Sequence, residues 1–197
     1  MMKISAWRVW GISVLCVLMC GGCGSQNVWM AEEDSDIPVR APAARNAIRL
    51  VLTSGPALNV FHHLSGSCAV LVLQLGDRQL QQILRDEPQR LRVLFRDDSG
   101  ENDKGLLKKD LVNMMPSRQR ILLLDRVKGA RFLLIAAGYY PGPSQENIIA
   151  VDIPAVIRKE GWWWSPVYRG ELQPVSLDIH LGARGMTWFP SEIPEQQ

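Results

Sequence analysis

The sequence predicts a mainly β protein: a β-sandwich of about seven or eight strands with a short helical insertion after the second strand. Three observations support this prediction. Several segments alternate apolar and polar side chains with the two-residue period of a half-buried strand. Only one region has the three-to-four-residue spacing of an amphipathic helix. The 12 Pro and 16 Gly among 197 residues favour short strands joined by turns over a long helical bundle.

Residues 1–22 have the anatomy of a secretory signal peptide. A positively charged start is followed by an apolar stretch, 9–20, that is too short to span a bilayer comfortably. Two small residues, Gly21 and Gly22, then precede Cys23. This order predicts that the thiol of Cys23 is acylated and that the signal peptide is cleaved in front of it. An ordinary signal peptide cut nearby, or an uncleaved N-terminal anchor, is the alternative interpretation.

Residues 23–45 are predicted to be the lipidated cysteine and a flexible tether, because acidic residues and two prolines occur there without periodicity. Gly24 follows the cysteine where an Asp would indicate retention in the inner membrane, which favours the outer membrane. Cys68 is the second cysteine of the mature chain. Since an acylated Cys23 cannot form a disulfide, Cys68 is expected to be a buried lone thiol at the start of a strand.

The range 46–190 is predicted to form the sandwich domain, followed by a C-terminal tail at 191–197. Residues 68–75 are apolar almost throughout, which is typical of a strand covered on both faces. Leucines with helical spacing occur in 80–95 around Pro88, which fits two short helices or one kinked helix. The pattern places strands at 48–52, 68–75, 121–124, 131–139, 147–153, 175–181 and 186–189.

Charge and motifs exclude several functional classes. Without Lys3 and Arg8 of the signal peptide, the chain has 20 basic and 20 acidic residues and no basic cluster, so nucleic-acid binding is not expected. The chain lacks a Gly-x-Ser-x-Gly elbow and a phosphate-binding glycine loop, and the adjacent Asp97 and Asp98 lie in a polar stretch where both stay ionised. We therefore expect no enzyme activity and no cofactor apart from the covalent lipid on Cys23.

The segment 162–164 consists of three consecutive tryptophans. On a strand, Trp162 and Trp164 share one face and Trp163 takes the other. We interpret the triplet as structural, with one face packed in the core. The alternative is an aromatic platform for a sugar ring, as a glycan or peptidoglycan binder requires.

A second unusual feature is the fourteen-residue segment 54–67 between the first two predicted strands, which is much longer than a hairpin loop. It has apolar residues at Leu58, Val60, Phe61 and Leu64. Such side chains either pack on their own domain or contact a partner, and the sequence leaves both interpretations open. The pair His62 and His63 lacks the surrounding ligands of a metal site and is expected at an exposed loop tip.

With these features the chain resembles the outer-membrane lipoproteins of type VI secretion systems, the TssJ (SciN) family. The resemblance covers roughly residues 46–181, in addition to Cys23 after its apolar run. It depends on the strand at 48–52, Leu58–Asn59 in the following loop, Val72–Leu73–Gln74–Leu75 in the second strand, the helical insertion, and 175–179 near the end.

The resemblance implies a non-catalytic, transthyretin-like β-sandwich that is lipid-anchored in the outer membrane and faces the periplasm. It implies binding to the periplasmic domain of the inner-membrane protein TssM within a multimeric trans-envelope complex. In the family, the loop between the first two strands reaches that partner. Here the loop residues are Leu58, Asn59, Val60, Phe61, His62, His63 and Leu64. The rival interpretation is a periplasmic lipoprotein that binds glycan or peptidoglycan through an aromatic surface.

Overall fold

The computed structural model describes residues 29–30, 39–96, 105–162 and 164–191. The strands are β1 Trp29–Met30, β2 Val39–Arg40, β3 Ala44–Ser54, β4 Cys68–Leu75, β5 Leu106–Met114, β6 Gln119–Arg126, β7 Phe132–Ala137, β8 Ile148–Asp152, β9 Ala155–Glu160, β10 Val167–Leu172, β11 Val175–Leu181 and β12 Met186–Pro190. The helices are α1 Arg78–Asp86 and α2 Pro88–Leu94, and a 3-10 turn covers Gln145–Asn147.

Two four-stranded sheets form a sandwich, as the sequence predicts. Sheet I has the order β12-β11-β3-β6 and sheet II has the order β5-β4-β7-β8. In sheet I, β11 runs parallel to β3, whereas the other neighbours in both sheets are antiparallel. The inner faces bury one continuous apolar core that includes Ile48, Leu50, Val70, Val72 and Leu133. These eight strands agree with the predicted number.

The helices form a third layer on the outer face of sheet II. Leu71 and Leu73 of β4 point away from the sandwich core and pack with Leu84 of α1 and Leu91 of α2. Because β4 is covered on both sides, seven of its eight residues are buried, which explains its unbroken apolar run. Pro88 is the first residue of α2, so the expected helical insertion consists of two short helices.

A buried amide joins the two sheets of the sandwich. Gln74 of β4 is fully buried, and its Nε2 donates to the carbonyl oxygen of Asp125 at 2.9 Å. Its Oε1 accepts from the backbone N–H of Val127, also at 2.9 Å. Asp125 lies near the end of β6 and Val127 directly follows the strand, so one side chain provides hydrogen-bond partners for two backbone groups where the chain leaves sheet I.

The structure also contains strands that periodicity did not predict. β5 was missed because its sequence, LLKKDLVNM, has charged residues in the middle, as an edge strand can tolerate. The hairpin of β9 and β10 was missed as well, and it forms a third sheet in the order β1-β9-β10-β2. Since β2 begins at Val39 and β3 at Ala44, strand pairing reaches into the range 23–45 that was predicted as a tether.

Several predicted features lie outside the described residues: the signal peptide 1–22, Cys23, the pair Asp97–Asp98, and the tail beyond Ser191. Within the described ranges, neither helix has the length and apolar character needed to cross a membrane.

Candidate functional site: the loop end of the sandwich

Three connections meet at one end of the sandwich: the β3–β4 loop (55–67), the β7–β8 connection (138–147) and the β11–β12 turn (182–185). A backbone hydrogen bond joins the β3–β4 loop to the β11–β12 turn: the N–H of Val60 donates to the carbonyl of Ala183 at 2.9 Å. The hydroxyl of Tyr139 donates to the carbonyl of Gly185 at 2.8 Å and joins the β7–β8 connection to the β11–β12 turn. The β3–β4 loop is therefore held by its neighbours.

The stem of the β3–β4 loop belongs to the hydrophobic core. Leu58 is 0 % exposed and packs within the core between the sheets. Of the two interpretations that the sequence leaves open for this loop, packing on the domain holds for Leu58: its side chain turns inward, since fourteen residues suffice for the chain to fold back on the domain. Val60 is half-buried.

Asn59 fixes the direction of the loop above this buried leucine. Its backbone adopts a φ of 46°, a left-handed conformation that asparagine tolerates better than most residues. Its Nδ2 donates to the carbonyl of Ser67 at 2.6 Å, across the neck of the loop. Its Oδ1 accepts from the backbone N–H of Tyr140 at 2.8 Å. One side chain thus closes the loop and ties it to the β7–β8 connection.

The tip of the loop is a two-residue turn. Phe61 and Leu64 exchange both backbone hydrogen bonds at 3.0 Å. His62 and His63 between them have φ values of 47° and 64°. Positive φ at both central residues is the requirement of a type I′ hairpin turn, which usually recruits Asn-Gly. Both histidines are exposed, as the sequence predicted for a loop tip.

Aromatic rings gather beside this turn. The ring of Phe61 lies 3.8 Å from that of Tyr140, centroid to centroid, and 4.0 Å from that of His62. Leu64 is 74 % exposed, and Tyr140 is exposed as well. Four neighbouring side chains, Phe61, His62, Leu64 and Tyr140, therefore present an apolar surface of the kind that marks protein interfaces. We call these four residues the loop-tip surface.

A groove opens next to the loop-tip surface, between the β7–β8 connection and the end of α2. Its volume is ≈ 460 Å³. Two arginines line the groove, and a guanidinium group is suited to a partner's carboxylate. Its lining includes Arg92, Phe95, Arg96, Tyr140, Pro141 and Pro143.

The buried titratable groups behind this surface, Cys68 and Tyr139, stay protonated at neutral pH. Cys68 is buried at the first position of β4, as predicted, and burial raises its thiol pKa to about 11, with a smaller opposing effect of the backbone hydrogen bond from Gly138. Burial also raises the pKa of Tyr139. Neither group ionises at neutral pH, so neither is a nucleophile or base. No three His, Cys, Asp or Glu side chains in the described ranges are grouped to hold a metal ion.

Two of the three consecutive tryptophans are not in the core. Trp162 and Trp164 lie in the turn between β9 and β10, where they are 69 % and 63 % exposed. Their rings stack on each other, with centroids 4.8 Å apart. The face that Trp162 and Trp164 would share on a strand is therefore not packed in the core, because both residues are part of a turn. Trp163, which would take the other face, lies outside the described residues.

Comparison with known proteins gives a likeness of fold. Neither a family model nor a curated protein matches the sequence. The structure is similar to that of the C-terminal domain of the T6SS protein TssM from EAEC, with a TM-score of 0.51 and 17% identity over 73% of this chain and 98% of that one. It is also similar to the T6SS lipoprotein TssJ1 from Pseudomonas aeruginosa, with a TM-score of 0.47 and 16% identity over 78% and 99% of the two chains. For Lip from Serratia marcescens, a membrane-bound component of the type VI secretion system, the values are 0.46 and 18% over 76% and 98%. At these identities the likeness concerns the fold.

Sequence reasoning found three of the four residues of the loop-tip surface but missed Tyr140 and the adjoining groove. Tyr140 and the groove come from the β7–β8 connection, which is 81 positions away from Asn59 in the sequence. The available signal was a run of Gly, Tyr and Pro residues in 138–143, which indicates an aromatic-bearing turn. Only the pairing of β4 with β7 places that turn beside the loop tip.

Proposed function

We propose that this protein is a non-catalytic lipoprotein of the type VI secretion membrane complex, of the TssJ (SciN) family. It is anchored in the outer membrane by acyl chains on Cys23 and binds the periplasmic domain of TssM through the loop-tip surface. The resemblance in residues 46–181 and the lipidation sequence ending at Cys23 support the family. The sandwich with its helical layer is compatible with it.

The observation that carries the binding proposal is that the β3–β4 loop has a buried stem and an exposed apolar tip. Its stem is fixed by the burial of Leu58 and by the two hydrogen bonds of the Asn59 side chain. Its tip is a tight turn that exposes Phe61 and Leu64. A preorganised turn loses little conformational entropy on binding, so the exposed apolar side chains can contribute most of their burial energy to the complex.

The groove adds a polar contact next to this apolar centre. Arg92 and Arg96 line it beside Tyr140. A guanidinium group binds carboxylates in two-pronged geometry, so we expect an acidic side chain of the partner there. Apolar anchors at the centre with charged groups at the rim are the usual anatomy of a protein interface.

The test is calorimetry of the mature chain with the periplasmic domain of TssM. Replacing Phe61 and Leu64 together by Ser should leave the melting curve close to that of the wild type, since both side chains are exposed at the turn. Each anchor at the centre of an interface contributes about 2 kcal/mol, which is about thirtyfold in affinity, so the double variant should bind on the order of 1,000-fold more weakly if the two contributions add.

Two control variants separate the tip from other effects. His63→Gly keeps all four residues of the loop-tip surface and supplies the residue that favours the second central position of a type I′ turn, so it should bind TssM normally and gain about 1 kcal/mol in stability. Leu123→Ser removes an exposed leucine from the outer face of sheet I and should change neither property. Full affinity of the Phe61/Leu64 double variant would refute binding through the loop tip.

A further inference from the structure

The hairpin of β9 and β10 ends in an exposed aromatic turn that the partner interface does not use. Gly161, with a φ of 92°, starts the turn, and the N–H of Ser165 donates to the carbonyl of Trp162 at 2.9 Å. This turn holds the stacked pair Trp162 and Trp164 at the tip, and Tyr168 on β10 is exposed next to it. We call Trp162, Trp164 and Tyr168 the hairpin-tip surface. Two stacked tryptophans that are each more than half exposed require an explanation.

The N-terminal strand gives the direction from which the anchor reaches the domain. β1 pairs with β9 in antiparallel orientation, with Trp29 opposite Ile157 and Met30 opposite Val156. β9 runs toward the hairpin tip, so the chain that precedes β1 enters from the side of the tip. Cys23 lies six residues before Trp29 in the sequence.

Cys23 and the hairpin tip can lie at similar distances from the β1–β9 pairing. Six residues span at most about 20 Å, which limits the separation between Cys23 and β1. The five residues from Ile157 to Trp162 extend about 17 Å along the strand direction. If Cys23 is acylated, as in the proposed function on which this inference rests, its acyl chains can enter the bilayer at the level of the two tryptophans.

The chemistry of the hairpin suits the membrane–water interface. Tryptophan and tyrosine, with an apolar body and a polar N–H or O–H, are enriched at that level of membranes. Lys159 lies directly opposite Tyr168 in the β9–β10 pairing. The hairpin contains three basic residues, Arg158, Lys159 and Arg169, against two acidic ones, Glu160 and Glu171. The small excess of positive charge favours an anionic lipid surface.

We propose that the hairpin-tip surface is a second membrane contact, which inserts Trp162 and Trp164 into the interface of the same bilayer that holds the acyl chains of Cys23. One lipidated residue limits the distance between the domain and the membrane but does not fix the orientation of the domain. A second contact at the hairpin tip fixes how the domain stands on the membrane.

The test uses tryptophan fluorescence of the full chain, expressed and matured in cells and reconstituted into vesicles of phosphatidylethanolamine and phosphatidylglycerol. One variant, Trp29→Phe with Trp188→Phe, leaves the triplet as the tryptophans of the mature chain. The matched control carries Trp29→Phe and Phe at 162–164, so that Trp188 on β12 remains. Each is compared in vesicles with and without brominated phosphatidylcholine.

The brominated lipid should reduce the emission of the triplet about twofold or more, since interfacial side chains lie within about 5–10 Å of the acyl boundary. The Trp188 control should be nearly unaffected. Equal quenching of both variants, or none in the triplet, overturns the proposal. The proposal is also overturned if brominated lipid leaves the emission of the triplet unchanged while peptidoglycan fragments shift it. That result would favour the glycan-binding interpretation.

Intact mass of the same samples keeps this test separate from the proposed anchor. A mature chain without acyl mass refutes lipidation at Cys23. The same vesicles are then added to the unlipidated protein, where quenching of the triplet still supports the membrane contact and its absence still refutes it.

Discussion

Leu58 and Leu64 offer a direct test of how the β3–β4 loop is divided between core and interface. They are the same residue type, six positions apart on one loop, yet Leu58 is 0 % exposed and Leu64 is 74 % exposed. We expect Leu58→Ala to affect folding and Leu64→Ala to affect binding.

The magnitudes follow from burial. Truncating a fully buried leucine to alanine costs about 2–5 kcal/mol, as lost transfer energy and a cavity. This is a large share of the roughly 5–15 kcal/mol by which a domain is stable. At about 2–4 °C per kcal/mol, the melting temperature of Leu58→Ala should fall by about 4–20 °C. Leu64→Ala removes mainly solvated surface and should change the stability by no more than about 0.5 kcal/mol.

The assay is urea denaturation of residues 24–197, followed by calorimetry with the TssM periplasmic domain. Leu58→Ala should unfold at a lower urea concentration and, while folded, bind with nearly unchanged affinity. Leu64→Ala should unfold like the wild type and bind more weakly. A Leu58→Ala protein as stable as the wild type would refute the packing of the loop stem in the core. A strongly destabilised Leu64→Ala protein would show that the tip, too, is a structural element.

Three further predictions concern the anchor, the buried thiol and the junction between the sheets. Cys23→Ser should abolish metabolic labelling with a radioactive fatty acid, and continued labelling would show that another cysteine is acylated. Burial raises the pKa of Cys68 from its ordinary value of 9.0 to about 11, so the thiol contributes stability that is fully present below pH 9 and is lost as the pH rises toward 11. Cys68→Ala should therefore flatten the fall in stability over that window in pH-dependent denaturation, and an unchanged slope would contradict the burial of the thiol. Gln74→Leu leaves the carbonyl of Asp125 and the N–H of Val127 without their side-chain partner. The free energy of unfolding, measured by urea denaturation, should therefore fall by about 1–3 kcal/mol. An unchanged value would mean that water replaces the amide.

The local patterns of the sequence determined the sandwich because each depends on near neighbours in the chain. The strict alternation of apolar and polar residues in 175–181 predicts the bounds of β11. The unbroken apolar run in 68–75 predicts the bounds of β4. Leucine spacing around Pro88 likewise determined the helical insertion, and the structure decided that it consists of two short helices and not one kinked helix. A side chain's face in a strand or helix is set by the period of that element, so burial of one face is visible in the sequence alone.

Tertiary structure decided which faces and loops meet, since those contacts join residues far apart in the chain. Asn59 accepts a hydrogen bond from Tyr140 only because β4 pairs with β7, and no local pattern contains that pairing. Leu58 and Leu64 look alike in sequence, and the closing of the loop over the core separated them. One face of the tryptophan triplet was expected in the core because tryptophan gains much from burial. Trp162 and Trp164 lie in a turn beyond the paired residues of β9 and β10, where both side chains are largely exposed.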